Sequence, residues 1–217
     1  MTWALTTLTT DATLRKHEAE IMSLAPMIKS DTQFSTTASS TTVTLPESVY
    51  DAIEAGSLLL CGEDEVFVVS KDDDDAFEVT VSNAVDWSGL SDSTICYYAT
   101  WSDKITFAKD LLKDDVELRL MKMGYTVDYS ADEILIDIIN NQNSLVNVCD
   151  MKVLYWIYQD LANGNEDSPY YIKMLRYKEL YNQLIDIKMN LLNIDTDEDG
   201  TVDEYRPEMI TFSRLLR

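Results

Sequence analysis

The stretch SLLLCGEDEVFVVSKDDDDAFEVTVS, residues 57–82, contains three short apolar or alternating segments separated by polar ones. These segments, SLLLC (57–61), EVFVVS (65–70) and AFEVTVS (76–82), predict three β-strands, because they are rich in valine, leucine and phenylalanine. The run KDDDD (71–75) predicts a hairpin tip, since adjacent carboxylates stay in water. KDDDD could bind a cation, but a solvated turn is the simpler interpretation.

The sequence on either side extends this β-rich region. TICYYAT (94–100) predicts a fourth strand. SDTQFSTTASSTTVT (30–44) is almost entirely serine and threonine, and it predicts an extended loop or an edge strand of low local stability. LPESVYDAIEAG (45–56) predicts a short helix with proline in its first turn and glycine as its stop. We therefore assign residues 31–101 to a β-rich insertion with a Ser/Thr-rich loop.

Helical periodicity predominates elsewhere in the chain. Residues 11–28 begin with a capping aspartate and carry apolar side chains at helical spacing, which predicts an N-terminal helix. Residues 102–123 predict a long amphipathic helix that ends at a glycine. The segment SADEILIDII (130–139) begins with a capping box and predicts a short helix.

Two further helices are predicted near the C-terminus. Residues 145–161 carry apolar side chains at helical spacing before Asn163-Gly164, and residues 168–192 begin with a Ser-Pro cap. The loop between them is short, so we expect them to pack as an antiparallel hairpin.

The predicted fold class is α+β, mostly helical: a helical bundle with a small β-rich insertion and an extended C-terminal tail. The predicted divisions are an N-terminal helix over 1–30, the β-rich insertion over 31–101, the helical bundle over 102–204 and a C-terminal docking tail over 205–217.

Composition limits the function classes. The 217 residues include 39 acidic and 17 basic side chains, for a net charge of −22. Such a surface repels nucleic acids and anionic membranes, but it suits the wall of a conduit that DNA must traverse without sticking. Three widely spaced cysteines and no leader pattern predict reduced, buried thiols, and no apolar run predicts a membrane span.

The sequence contains few features typical of catalysis. The single histidine, His17, lies among charged residues and is interpreted as a solvated surface side chain. Phosphate-binding glycine motifs and the G-x-S-x-G elbow do not occur, and three scattered cysteines do not suggest a zinc site. Carboxylates are abundant but form no directed pair. We therefore predict that the protein is not an enzyme.

An acid-rich segment, DTDEDGTVD, follows the last predicted helix. It matches the first part of a calcium loop, with acids at positions 1, 3, 5 and 9 and glycine at position 6, but an arginine occupies position 12 in place of the bidentate glutamate. The other interpretation is that these aspartates form Asx-turns that stop the helix. Both interpretations stay open; the candidate ligands are Asp195, Asp197, Asp199, Thr201 and Asp203.

The segment from YWIYQDLANG through NIDTDEDGTVDEYRP resembles the C-terminal half of tailed-phage head–tail adaptor (connector, or head-completion) proteins. The resemblance covers roughly residues 102–217: a helix ending in YQDLANG, a short acidic loop, a second helix rich in tyrosine and lysine, and an Asp-rich turn before a short tail. The predicted β-rich insertion has no counterpart in it.

The resemblance implies a structural virion protein made in the host cytoplasm and placed in the head–tail neck. Such a protein assembles as a ring, usually of twelve copies, beneath the portal. The ring extends the DNA channel and docks neck or tail proteins, while DNA passes through without specific binding. The alternative is a calcium-responsive soluble binding module, monomeric and sensitive to chelation. An acid/base enzyme has only undirected carboxylates in its favour.

The tail YRPEMITFSRLLR (205–217) differs from the rest of the chain, because it is basic and rich in apolar side chains. Such a segment suits insertion into a groove on a partner, although it could also fold back on the bundle. The resemblance implies that it reaches into the portal. The candidate portal-binding residues are Arg206, Met209, Ile210, Phe212, Arg214, Leu215, Leu216 and Arg217.

Overall fold

The structure is a computed structural model that describes residues 9–36, 39–71, 76–91, 93–125, 139, 141–194 and 204–205. The chain divides into two compact units. The sheet unit spans Thr9–Ile105, and the described residues from Thr106 onward belong to the helical unit.

A six-stranded antiparallel sheet forms the centre of the sheet unit. Its strands lie in the order β1-β6-β3-β4-β5-β2, so β1 and β2 are the edges. The bounds are β1 Met27–Lys29, β2 Ser40–Thr44, β3 Leu58–Cys61, β4 Asp64–Lys71, β5 Glu78–Val85 and β6 Cys96–Ala99. The four strands predicted from the sequence correspond to β3, β4, β5 and β6. The acid run 72–75 between β4 and β5 lies outside the described residues.

Short helices accompany the sheet. They are α1 (Asp11–His17), a 3-10 helix (Ile21–Leu24) and α2 (Glu47–Ala52), and α3 (Ser102–Lys122) begins in this unit. One face of the sheet packs around Phe34 and Trp87, whose ring centroids are 5.8 Å apart. The Ser/Thr-rich stretch contributes Phe34 and Val43 to this core and forms the edge strand β2, which confirms the second of its two predicted conformations over Ser40–Thr44.

The helix predicted over 11–28 is wrong beyond His17. Ala25, just before Pro26, is extended, with φ −69° and ψ 143°, because proline disfavours a helical residue before it. Met27–Lys29 then pairs with β6, so tertiary hydrogen bonds override the helical periodicity of the apolar residues.

A buried carboxylate at the start of α1 forms hydrogen bonds with two other segments of the sheet unit. Asp11 is 0% exposed, and its carboxylate accepts hydrogen bonds from the hydroxyls of Ser57 and Thr100, both at 2.7 Å, and from the backbone N–H of Trp101 at 2.9 Å. Burial raises the pKa of Asp11, against the lowering effect of these three hydrogen bonds. Gly56 permits the close approach of α1: its φ is +95°, and a Cβ there would lie 2.0 Å from the Ala12 nitrogen.

Two of the three cysteines depart from the predicted reduced state. Cys61 on β3 is paired directly with Cys96 on β6, and their sulfurs are bonded. Cys149, in the helical unit, is buried and forms no disulfide, as predicted. The pairing is a consequence of strand register, which spacing along the sequence does not reveal.

The helical unit contains most of α3, a 3-10 helix (Gln142–Leu145), α4 (Val146–Ala162) and α5 (Pro169–Met189). The hydroxyl of Ser168 caps α5 by accepting from the Tyr170 N–H, and Pro169 occupies the first turn, as predicted. Helices α4 and α5 pack against each other, joined by a loop with Asn163 and Gly164 at positive φ. Of the predicted helix 130–139, only Ile139 lies within the described residues.

The predicted fold class, mostly helical with a small β-rich insertion, is wrong. The chain is α+β, and its six-stranded antiparallel sheet organises a unit that begins at Thr9 and ends at Ile105. Two segments account for the difference: residues 27–28 of β1 belong to a predicted helix, and the sequence of β2 is compatible with a loop or a strand. Both short strands depend on partners far along the chain, β6 and β5.

Candidate functional site

The end of the described chain forms a small hairpin on the helical unit. Strand β7 (Asn193–Ile194) pairs antiparallel with β8 (Glu204–Tyr205), so that Asn193 faces Tyr205 and Ile194 faces Glu204. This pairing brings together Ile194 and Glu204, the residues on either side of the acid-rich segment in the sequence. It also places the start of the tail, residue 206, directly after a hydrogen-bonded strand.

Side-chain and backbone contacts hold the root of this hairpin. The Asn141 amide donates to the Leu191 carbonyl at 3.0 Å, and its oxygen accepts from the Asn193 N–H at 2.9 Å. Ile139 forms an antiparallel bridge with Ile194, and both side chains are buried. The hairpin root is therefore held to residues 139 and 141 by a satisfied amide and by apolar burial.

A partly buried polar cluster connects the three long helices. Lys152 on α4 donates to the Leu111 carbonyl at 2.9 Å and the Tyr181 hydroxyl at 3.1 Å, and it forms an ion pair with Asp115 on α3. The Tyr181 hydroxyl on α5 also donates to Asp115. These contacts use all three ammonium protons, so Lys152 is buried without an unsatisfied donor.

Burial and these contacts shift the pKa values of Lys152, Asp115 and Tyr181. Burial lowers the pKa of Lys152, and Asp115 opposes that effect. Partial burial raises the pKa of Asp115, but hydrogen bonds from Lys152 and Tyr181 outweigh it, so the pKa lies below its ordinary value. Burial, together with Asp115, raises the pKa of Tyr181. The shifts favour a charged Asp115 carboxylate and a neutral Tyr181 phenol, and the contacts with Asp115 favour the protonated form of Lys152, which suits a structural link.

Exposed side chains on α3 and α5 combine apolar and charged groups. On α3, Phe107, Asp110, Asp114, Leu118 and Met121 are exposed at helical spacing. On α5, the exposed Leu175 and Arg176 lie one turn from the exposed Glu179, so both signs of charge occur on that side of the helix.

The predicted site residues fall largely outside the described chain. The candidate calcium ligands (195, 197, 199, 201 and 203) and the candidate portal-binding residues (206, 209, 210, 212 and 214–217) all belong to undescribed segments, so the structure places only their flanking strands. Over the described ranges, no group of three or more His, Cys, Asp or Glu side chains is placed to hold a metal ion. His17 is exposed at the end of α1. No described helix combines the length and apolarity that crossing a membrane requires.

The residues that organise the helical unit were not predicted from the sequence. Lys152 lies between Met151 and Val153 in a helix with apolar side chains at helical spacing, and this position is the available indication of a buried ion pair. Asp115 and Tyr181 lie 37 and 29 positions from Lys152, so only the packing of three helices reveals them as its partners. Asn141 looks like an ordinary loop residue in the sequence.

No family model, no curated protein and no solved structure matches the chain.

Proposed function

We propose that this protein is a head–tail adaptor of a tailed phage: a structural virion protein, not an enzyme, that forms a ring under the portal, extends the DNA channel and docks neck or tail proteins. The observation that carries the proposal is the fixed root of the C-terminal tail. Strand β8 ends at Tyr205, and the basic, apolar tail begins at the next residue.

A fixed root makes a short tail effective in docking. Residues 206–217, if extended, would reach about 40 Å at roughly 3.3 Å per residue. Because β7, Asn141 and the end of α5 hold the root, the chain entropy lost on docking is confined to the tail itself. Its apolar side chains supply affinity, and Arg206, Arg214 and Arg217 supply orientation.

Charge supports the conduit role. The net charge is −22, while the tail carries three arginines and one acid, Glu208. A ring of such chains presents a repulsive wall to DNA phosphates, which allows sliding, and reserves a basic end for a protein partner. The resemblance over residues 102–217 supports a ring of copies, usually twelve.

Deletion of residues 206–217 tests the proposal. The deletion leaves the described elements intact, so we expect an unchanged circular dichroism spectrum together with loss of co-sedimentation with portal rings from the same virus. A matched control keeps the tail's length and composition but shuffles its order, and it should also fail to co-sediment. Undiminished association of the truncated chain would refute tail docking.

The alternative, a calcium-responsive soluble binding module, rests on the hairpin root. Pairing of β7 with β8 brings together the ends of a segment that carries four candidate aspartates and one threonine carbonyl. Chelation distinguishes the two functions. A calcium module loses stability when calcium is removed, whereas an adaptor keeps both its stability and its portal association.

A further inference from the structure

We propose that the bond between Cys61 and Cys96 is a site of thiol–disulfide exchange, at which a small thiol or a small disulfide opens or closes a covalent lock on the folded sheet unit. The reagent enters a polar pocket beside the start of β6 and reacts at the sulfur of Cys96. The inference goes beyond the proposed function. It is drawn from the sheet unit alone, so it holds whether or not the chain is an adaptor.

The bond lies at the end of a strand ladder. Cys61 is the last residue of β3, and Cys96 is the first residue of β6. Three further residue pairs join residues 58–60 to residues 97–99, so the two strands are paired without the sulfur bond. The end of a ladder opens more readily than its centre, because fewer contacts break. After reduction, the remaining pairs keep the two thiols adjacent, which favours closing the bond again.

A polar pocket of about 300 Å³ distinguishes the two cysteines. Its wall is made by residues 29–33, which include the end of β1, and by residues 93–96, which include the start of β6. Cys96 therefore lines the pocket, whereas Cys61 does not. Because Cys96 is only 1% exposed, part of the wall has to move before a reagent reaches its sulfur.

The Gln33 side chain holds two parts of this wall together. Its amide nitrogen donates to the carbonyls of Ser91 and Thr94, which ties the segment after β1 to the loop before β6. The next residue, Phe34, donates its backbone N–H to the sulfur of Cys96 at 3.5 Å. Loss of the Gln33 contacts therefore lets the segment that contacts this sulfur move.

The exchange balances in two steps. In reduction, a small thiolate RS⁻ attacks the sulfur of Cys96, a mixed disulfide forms there, and the thiolate of Cys61 leaves. A second RS⁻ attacks the R-group sulfur, so that RSSR forms and the thiolate of Cys96 leaves beside the Phe34 N–H, which stabilises its charge. The two protein thiolates take up the two protons that the small thiols lost. Oxidation is the reverse, with the small disulfide as oxidant and two small thiols as products.

Closing the bond stabilises a unit that also folds without it. Both cysteines belong to the apolar core around Trp87, where thiols pack as small hydrophobic groups. The bond joins positions 35 residues apart, and a closed loop of that length lowers the entropy of the unfolded chain. We therefore expect reduction to leave the sheet unit folded and to lower its melting temperature by about 5–15 °C.

Reduction of the native chain tests the lock. The full chain is treated with oxidised glutathione to close the bond and is then exposed to reduced glutathione at urea concentrations below its unfolding transition. We expect the bond to open without urea, at a rate that depends on urea much less than global unfolding does. Gln33→Ala should speed the opening about tenfold, because two hydrogen bonds over the site are lost. The control Gln183→Ala, at an exposed position of α5, should leave the rate unchanged.

A second measurement locates the reactive sulfur. Cys61→Ser and Cys96→Ser each leave one member of the pair as a thiol, and oxidised glutathione should modify Cys96 in the first variant much faster than Cys61 in the second. Peptide mass spectrometry assigns each adduct and separates it from any on Cys149. The reduction experiment uses wild-type cysteines, so it decides the question even where a cysteine variant does not fold.

The outcomes are distinct from those of the proposed function. A bond that oxidised glutathione does not close, or that opens only where urea unfolds the chain, would overturn the lock. Equal modification of Cys61 and Cys96, or an unchanged rate in Gln33→Ala, would overturn entry through the pocket. These measurements use no portal, so the lock can fail while the adaptor function stands, and the reverse.

Discussion

The two units each depend on a carboxylate, and their environments shift its pKa in opposite directions. Asp11 in the sheet unit is enclosed by neutral hydroxyls and one backbone N–H, and burial raises its pKa. Asp115 in the helical unit is partly exposed beside Lys152 and Tyr181, and its pKa is lowered. Two differences act together: Asp11 is 0% exposed, so that burial outweighs its hydrogen bonds and the more distant charge of Arg15, whereas the Asp115 side chain is 43% exposed and contacts a cation directly.

The largest effect is expected for Asp11→Ala. This substitution removes the acceptor for two buried hydroxyls and one backbone N–H, and unsatisfied donors of this kind cost about 3 kcal/mol or more together. Urea unfolding measures the loss. Asp11→Asn keeps an acceptor and should cost much less, and Asp31→Ala, at an exposed position, should change little. Equal costs for the alanine and asparagine variants at Asp11 would show that charge, not acceptor geometry, holds α1.

Hydrogen exchange should separate the Ser/Thr-rich edge from the helical core. Residues 30–44 lie at the edge strand β2 and the segment before it, while α4 is buried on nearly all sides. We expect opening free energies of α4 amides to exceed those of β2 amides by about 2 kcal/mol, because edge hydrogen bonds open without disrupting a core. Comparable protection in the two segments would contradict this account.

Loss of the cation in the helical unit should have a smaller effect. Lys152→Met fills a similar volume, and the half-exposed Asp115 can regain water, so we expect a loss of about 1–2 kcal/mol. Thermal unfolding followed by helical circular dichroism measures it. Lys122→Met on the exposed side of α3 is the control and should change stability by less than about 0.5 kcal/mol. A loss as large as that for Asp11→Ala would remove the contrast between the units.

The pH dependence sharpens the comparison. The folded pKa of Asp11 lies above 3.8, so its contribution is full below 3.8 and is lost as pH rises through the raised value. The folded pKa of Asp115 lies below 3.8, so its contribution is full above 3.8 and is lost as pH falls through the lowered value. As pH falls through the raised pKa of Asp11 towards 3.8, hydrogen exchange corrected for intrinsic rates should show the sheet unit gaining stability, while the contribution of Asp115 to the helical unit stays constant. In Asp11→Asn this gain in the stability of the sheet unit should be smaller. A gain as large as in the wild-type chain would show that another group causes the pH dependence.

Calcium is expected to have the smallest effect. The acid-rich segment lacks the bidentate glutamate at position 12, so we expect weak binding, if any, and a role mainly in fixing the tail. Titration calorimetry and melting with and without chelator measure this. Sub-micromolar affinity, or a melting temperature that falls by several degrees on chelation, would favour the calcium module.

The sequence predicts the elements that have strong local determinants. Periodicity and caps locate α3, α4 and α5, and alternating apolar residues locate β3 to β6, because these patterns act within a few residues. The apolar periodicity of residues 11–28 predicts a helix, but residues 27–29 form strand β1 because they pair with β6. The fold class was wrong for that reason, and β2 stayed ambiguous because serine and threonine give little apolar alternation.

The candidate site was predictable only in outline. The acid-rich segment and the basic tail are visible as composition. Their root is made by the pairing of β7 with β8 and by Asn141 and Ile139, which contact residues about fifty positions away along the chain. The Lys152 cluster likewise depends on three helices meeting. Interactions between distant residues carry no local pattern, which is why these residues emerge from the structure.

Electron microscopy of the full chain mixed with portal rings from the same virus tests the adaptor function most directly. The account predicts an additional ring stacked coaxially on one end of each portal, with an open central channel, and its disappearance when residues 206–217 are deleted. Portal rings that remain bare at saturating protein concentration, with the added chain folded and dispersed, would contradict the account.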